Sequence, residues 1–225
     1  MVGFAIYPRK RRVSPETVAR FRGLPVTCIS DVAPSLARGG LKLRPMHAGQ
    51  PLAGPALTVR TRPGDNLMVH KALDLAERGD VIVVDAGADL TTAIAGEMML
   101  AYMMHRGIGG IVVSGAIRDI AAIRGGALPV YAGGIAQHGP SKEGPGEINV
   151  PVSVDGMLVE PGDLIVGDAT GWLCISYDTV EEVYGAAKGR FETETRILSN
   201  IAEWDRAWVD TSLKRLGCRF EDEPR

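Results

Sequence analysis

The stretch from 81 to 113 constrains the fold more than any other part of the chain. Val81-Ile82-Val83-Val84 is an unbroken apolar run of strand length that ends in Asp85, and Ile111-Val112-Val113 is a second such run. A strand with one wet face alternates apolar and polar residues. Continuous runs instead mark strands buried on both faces, as in a parallel sheet covered by other layers. Ala86-Gly87-Ala88-Asp89 reads as a loop, and a helix is expected from about Ala93 to His105, closed by Gly107-Ile108-Gly109-Gly110. Strand, helix, strand at this spacing is a parallel crossover unit. A helix beginning near Asp119 and a short strand at Pro129-Val130-Tyr131 extend it. Ligands bind such sheets beyond the C-terminal strand ends. Residues 85–96 and 114–119 are expected to be loops at those ends.

The flanks read less sharply. The first dozen residues look like a flexible arm. Ser14-Pro15-Glu16 opens a short helix, since Ser suits the N-cap and Pro the first turn. A second short helix is expected after Ser30-Asp31, and a Gly- and Pro-rich loop over 39–55. A strand at 56–61 leads to a helix capped by Gly64-Asp65-Asn66. Its apolar positions Leu67, Val69, Ala72, Leu73 and Ala76 roughly follow a helical period, and Arg78-Gly79-Asp80 ends it. Residues 133–146 form a polar, Gly- and Pro-rich loop suited to covering a pocket. Strand-like segments at 150–154, 157–159 and 164–166 follow, with turns at Asp155-Gly156 and Pro161-Gly162, so this part reads as an antiparallel meander. Ile197, Ile201, Trp204 and Trp208 share one face of a long final helix, packed on its own core or on a neighbouring subunit. The expected organisation is an arm over 1–13, an α/β domain over 14–180 and a helical extension over 181–225.

Composition excludes several classes. With 225 residues, 45% hydrophobic and 23% charged, the chain can fill a globular core. A net charge of −2 favours neither nucleic acid nor a membrane surface as partner. Cys28, Cys174 and Cys218 are odd in number and form no CxxC pair, which argues against a disulfide framework or a zinc knuckle. No apolar run approaches the roughly 20 residues of a spanning helix. The opening MVGFAIYPRKRRV places apolar residues before bases, the reverse of a secretion signal. A cytoplasmic location is the expectation.

The sharpest chemical feature is Ser114-Gly115-Ala116-Ile117-Arg118-Asp119. Arginine offers a permanently charged planar fork that matches a carboxylate. Aspartate offers hard oxygen to Mg²⁺, which often takes one protein carboxylate and fills its shell with water and substrate oxygens. A 2-oxo acid chelates such a cation through its carboxylate and ketone while its charge faces Arg118. An exposed ion pair or a helix cap explains the same two residues. The second feature is Thr91-Thr92-Ala93-Ile94-Ala95-Gly96-Glu97-Met98-Met99. A helix start here presents free N–H groups to an anion, and Gly96 allows close approach of substrate. Core packing of Met98 and Met99 is the alternative. His47, His70, His105 and His138 lack metal-ligand spacing, and His70 is read as structural although it can face a pocket. Lys71 reads as a surface lysine, Asp163 and Asp168 as turn residues. Ser114 lacks a nucleophile-elbow context, and no GxGxxG supports a dinucleotide site.

The segments LAGPALTV, PGDNLMVHKAL, RGDVIVVDAG, AGEMM, RGIGGIVVSGAIRDI, LPVYAGG, INVPV and VEPGDLIVGDATG occur in an order and spacing that carry a resemblance. From about residue 50 to 171, the chain resembles the RraA-like family, which joins 4-hydroxy-4-methyl-2-oxoglutarate aldolases with regulators of ribonuclease activity A. Some members carried an older label as demethylmenaquinone methyltransferases. The resemblance implies a layered α/β/β sandwich like the phosphohistidine swivelling domains, and homotrimers or homohexamers with sites at subunit boundaries. It implies that backbone amides of Gly96, Glu97, Met98 and Met99 bind a pyruvyl group, that Arg118 contacts substrate, and that Asp119 holds a divalent cation, Mg²⁺ or Mn²⁺. The implied reaction is metal-dependent cleavage of a 4-hydroxy-2-oxo acid to pyruvate. Oxaloacetate decarboxylation shares its enolate and follows as a side activity. The regulator branch replaces the aspartate, so Asp119 points to catalysis. The aldolase pattern continues Arg-Asp-x-x-Glu/Asp, whereas this chain has Ala122 at the acidic position. A non-catalytic protein that binds a ribonuclease or another partner is the competing expectation.

Overall fold

A computed structural model describes residues 2–33 and 42–219. In chain order the elements are β1 (Ala5–Ile6), α1 (Pro15–Phe21), α2 (Val26–Val32), β2 (Arg44–Pro45), β3 (Leu52–Thr61) and α3 (Leu67–Leu75). Then come β4 (Val81–Ala95), α4 (Glu97–Arg106), β5 (Gly110–Ile117), α5 (Ile120–Gly125) and β6 (Val130–Ile135). After β7 (Gly146–Ile148) follow β8 (Val152–Val154), β9 (Met157–Val159), β10 (Leu164–Gly167) and β11 (Trp172–Ile175). The helix α6 (Val180–Ser199), a 3-10 turn at Ile201–Glu203 and α7 (Ala207–Arg215) complete the described chain.

The fold is α/β, as the two apolar runs require. β3, β4, β5 and β6 are parallel neighbours, joined through α3, α4 and α5. Alternate residues of each central strand serve different cores. Ile82, Val84, Ile111 and Val113 pack with residues of α3, α4 and α5. Val81, Val83, Val112 and Tyr131 pack with α1, α2, the later strands and α6. Both faces of the sheet are therefore dry, which is why these strands lack polar alternation. β7 extends the sheet antiparallel to β3, β1 adds parallel to β7, and β2 adds antiparallel to β6. β10 pairs antiparallel with the first half of β3 and with β11, while β8 and β9 form a separate hairpin. Asp155 (φ 51°) and Gly156 (φ 82°) supply the left-handed turn of that hairpin.

Several expectations shift. The described part of the 1–13 arm, residues 2–13, lies strapped down. Tyr7 N–H donates to the Ile148 carbonyl at 3.1 Å. Arg9 and Arg12 reach the buried Asp80 carboxylate at 3.0 and 3.2 Å. α2 begins after Pro25, so Ser30-Asp31 sits at its end rather than its start. The 39–41 part of the expected 39–55 loop lies outside the described residues, and β3 already begins at Leu52. The expected loop over 86–89 and the start of a helix at Ala93 are instead β4, which runs on to Ala95 with bulged pairing. The stretch from Ser114 to Ile117 is strand β5, not loop. The final helix is two helices, because the chain breaks at Asn200. Trp204 and Trp208 are exposed, and neither the 3-10 turn nor α7 buries a residue. No helix among the described residues is long and apolar enough to cross a membrane.

Candidate functional site

Arg118 and Asp119 leave the C-terminal end of β5, and α5 begins one residue later. Asp119 is left-handed (φ 59°, ψ 41°), a conformation Asp tolerates better than most residues. This kink turns its carboxylate toward the start of α4. There Oδ2 accepts the Glu97 N–H at 2.9 Å. The carboxylate thus fills one of the open donors of a helix N-terminus and meets the positive end of its dipole. Oδ1 accepts no hydrogen bond from the described residues, and about 41% of the side chain is open. Arg118 Nε stands 3.6 Å from Oδ2. The Arg118 backbone N–H donates to the Ala95 carbonyl at 3.0 Å, tying the end of β5 to the end of β4.

Gly96 is where the two segments touch. A Cβ there would lie 2.5 Å from Asp119 Oδ2 and 2.9 Å from Arg118 Cγ. The residue must be small so that the Arg-Asp pair can lie against the helix start, a reason independent of any substrate. Glu97 and Met98 are exposed, whereas Met99 packs in the core beside α3. The core alternative therefore holds for Met99 and fails for Met98. The N–H groups of Met98 and Met99 lie in the first turn, where the helix offers no carbonyl partner. Arg118 and the half-open Asp119 carboxylate thus lie against the start of α4, whose first-turn amides have no helical partner.

Of the other candidates, His47, Asp163 and Asp168 separate from this centre. His47 is a core residue, bonded to the Val130 backbone and the Gln50 carbonyl. Asp163 receives the Glu160 and Tyr177 N–H groups, and Asp168 those of Thr170 and Val26, as turn-fixing residues do. Lys71 is exposed, 3.4 Å from Asp74. His70 and Lys71 line a cavity of about 580 Å³ together with Met98 and Tyr102. Burial, and then the Lys142 charge, push His70 below the usual histidine value. A second cavity of about 590 Å³, lined by Asp85, Ser114, Gly115 and Gly133, opens beside the central strands, but Arg118 and Asp119 do not line it. Cys28, Cys174 and Cys218 are free thiols. Asp65 was read from sequence only as part of a helix cap. It is fully buried, and it binds the 136–145 segment as well as α3. The signal available was the string PGDN, which holds a carboxylate between a glycine and a helix start.

The RraA-like family model, described as aldolase/RraA, matches residues 26–174. The chain belongs to the RraA-like family. A Halalkalibacterium halodurans relative, provisionally named as a 4-hydroxy-4-methyl-2-oxoglutarate aldolase, is 41% identical over 199 residues, covering 87% of this chain and 95% of its own. An uncharacterised Pseudomonas syringae protein shares the fold with a TM-score of 0.77 at 25% identity, over 86% of this chain and 96% of the other. A Streptomyces coelicolor structure, described as an unusual member of the RNase ES inhibitor RraA family, has a TM-score of 0.73 at 28% identity, over 83% and 98%. The RraA-like match spans both the Gly96 turn and the Arg118-Asp119 pair, so the site described above lies inside the shared region.

Proposed function

We propose that this RraA-like chain is a divalent-metal-dependent lyase that cleaves a 4-hydroxy-2-oxo acid to pyruvate, with oxaloacetate decarboxylation as a side activity. The observation that carries the proposal is the Asp119 carboxylate. It is pinned by the Glu97 N–H through Oδ2, open at Oδ1, and adjacent to Arg118. The donor set fits Mg²⁺ or Mn²⁺, cations satisfied by one protein carboxylate with water and substrate oxygens. When bound at Asp119, the cation supplies Lewis-acid withdrawal of electrons from the substrate's keto group. Arg118 receives the substrate carboxylate through its planar fork and stays charged throughout. The Met98 and Met99 amides, at the positive end of α4, hold an anionic oxygen as negative charge grows during C–C cleavage. The Asp119–Glu97 bond fixes α4 relative to the Arg-Asp pair, so these groups are oriented before substrate arrives.

The half-open side chains of Arg118 and Asp119 leave one wall of the site missing in a single chain. A second copy supplies that wall in the homotrimer or homohexamer we propose, and the setting is cytoplasmic. The test is pyruvate release from 4-hydroxy-4-methyl-2-oxoglutarate and from oxaloacetate, with Mg²⁺, with Mn²⁺ and with chelator. Metal-dependent release that Asp119→Asn abolishes supports the proposal, and release unaffected by chelator refutes it. Ala122 and the likeness to an RNase inhibitor family favour a second reading, a regulator that binds a ribonuclease. Binding to a purified ribonuclease with no pyruvate release under any metal selects that reading.

A further inference from the structure

Residues 136–145 connect β6 to β7 and lie against the end of the sheet that carries the Arg-Asp pair. The segment is anchored at its start, where the Ala136 N–H donates to the Ile117 carbonyl at 3.0 Å and the His138 carbonyl accepts the Ala93 N–H at 2.9 Å. Further on, Ser141 N–H donates to the Gly64 carbonyl at 2.8 Å and its own carbonyl accepts the Asn66 N–H at 3.1 Å. The third anchor is the buried carboxylate of Asp65. Its Oδ2 accepts Ser141 Oγ–H at 2.6 Å, Glu143 N–H at 2.8 Å and Gly144 N–H at 3.0 Å. Its Oδ1 accepts the Leu67 N–H at 2.9 Å. Arg62 Nη2 adds a bond to Ser141 Oγ at 2.9 Å.

A helix cap needs only the Leu67 bond. The three donors on Oδ2 all come from one distant segment, so the carboxylate is committed to holding that segment. Between the anchors at His138 and Ser141 stands Gly139, where a Cβ would lie 3.1 Å from Arg118 Nη1. The segment fixed by Asp65 is therefore a wall beside the guanidinium. We infer that Asp65 is a positioning residue for Arg118: its carboxylate fixes residues 136–145, and their backbone sets where the guanidinium stands to receive an anion. The inference rests on the reading of Arg118 as the oxo-acid anchor.

Two variants test it, Asp65→Asn and Ser141→Ala, with two readouts. The first is the Arg118 Nε–H resonance, assigned by its loss in Arg118→Lys, recorded with amide exchange at Glu143 and Gly144. The second is KM against kcat for pyruvate release. Both variants are expected to move the Arg118 resonance, speed exchange at 143 and 144, and raise KM roughly tenfold with kcat within about threefold, the pattern of lost substrate binding. If Asp65→Asn does not fold, Ser141→Ala decides. Faster exchange at 143 and 144 with an unmoved Arg118 resonance overturns the inference, and so does Ser141→Ala behaving as wild type in both. If the wild-type chain releases no pyruvate, the lyase proposal falls, and the Arg118 resonance alone decides whether Asp65 positions it.

Discussion

At the scale of single residues, the contact between Gly96 and the Arg-Asp pair separates stability from function. The atoms that a new Cβ would meet are side-chain atoms of Asp119 and Arg118 rather than backbone. Gly96→Ala is therefore expected to fold, with both side chains pushed aside. Misplacement of about 1 Å lowers a reaction rate roughly 10- to 100-fold, so circular dichroism should be unchanged while pyruvate release falls by that factor. Asp119 carries two duties that substitution can split. Asparagine keeps an oxygen for the Glu97 N–H and loses the charge that meets the α4 dipole, so Asp119→Asn should lose about 0.3–1 kcal/mol of stability and at least about 100-fold in metal-dependent release. Alanine loses the cap as well, at about 1 kcal/mol, and adds about 1 kcal/mol for a left-handed backbone, which in a chain of this size lowers the melting temperature by about 4–8 °C. Differential scanning calorimetry of the two variants, run beside the activity assay, checks both statements.

At the scale of elements, the buried Asp65 makes the 136–145 segment sensitive to acid. Burial alone would raise its pKa, but the bonds from Ser141, Leu67, Glu143 and Gly144 outweigh that effect and hold it below the usual carboxylate value. A depressed folded-state pKa contributes stability that is fully present above the unfolded value, about 3.9, and is lost as pH falls through the folded value. Urea midpoints should therefore drop more steeply below about pH 4 in the wild type than in Asp65→Asn, while the variant is less stable at neutral pH by about 1.5–3 kcal/mol. The same scale shows what the sequence made legible. The runs 81–84 and 111–113 announced buried parallel strands because burial on two faces leaves a local trace. Ser14 and Pro15 announced α1 because capping is local too, and Ser14 Oγ does accept the Thr17 N–H. Residues 86–95 were opaque. Their strand state comes from pairing with β5, where Asp89 stands opposite Gly115 and Ala93 opposite Ala116, so extra residues are absorbed in bulges. The resemblance marked Arg118 and Asp119, but the Glu97–Asp119 bond depends on a left-handed kink and on a helix starting at 97, neither of which periodicity shows.

At the scale of the whole molecule, the core is finished before the chain is. α6 contributes Val180, Val183 and Ala187 to it, and beyond Asn200 no described residue is buried. A chain ended at Asn200 is therefore expected to melt within about 2 °C of the full chain when dilute, since loss of unburied surface residues falls within about 0.5 kcal/mol. Thermal unfolding at low concentration measures this. Light scattering on the same pair reports whether Trp204 and Trp208 serve assembly instead. The strand β3 ties the two halves of the molecule together. Its residues Leu52 to Pro55 pair with β10, and Ala56 to Arg60 pair with β4. A side chain at Gly54 would drive its Cβ to 2.2 Å from the Gly79 carbonyl oxygen. A slip of β3 by a single position would thus undo its ladders with β10, β4 and β7 at once and bring the Cβ of Ala53 or Pro55 into that gap, so the strand acts as a checksum on assembly that rejects every offset but one.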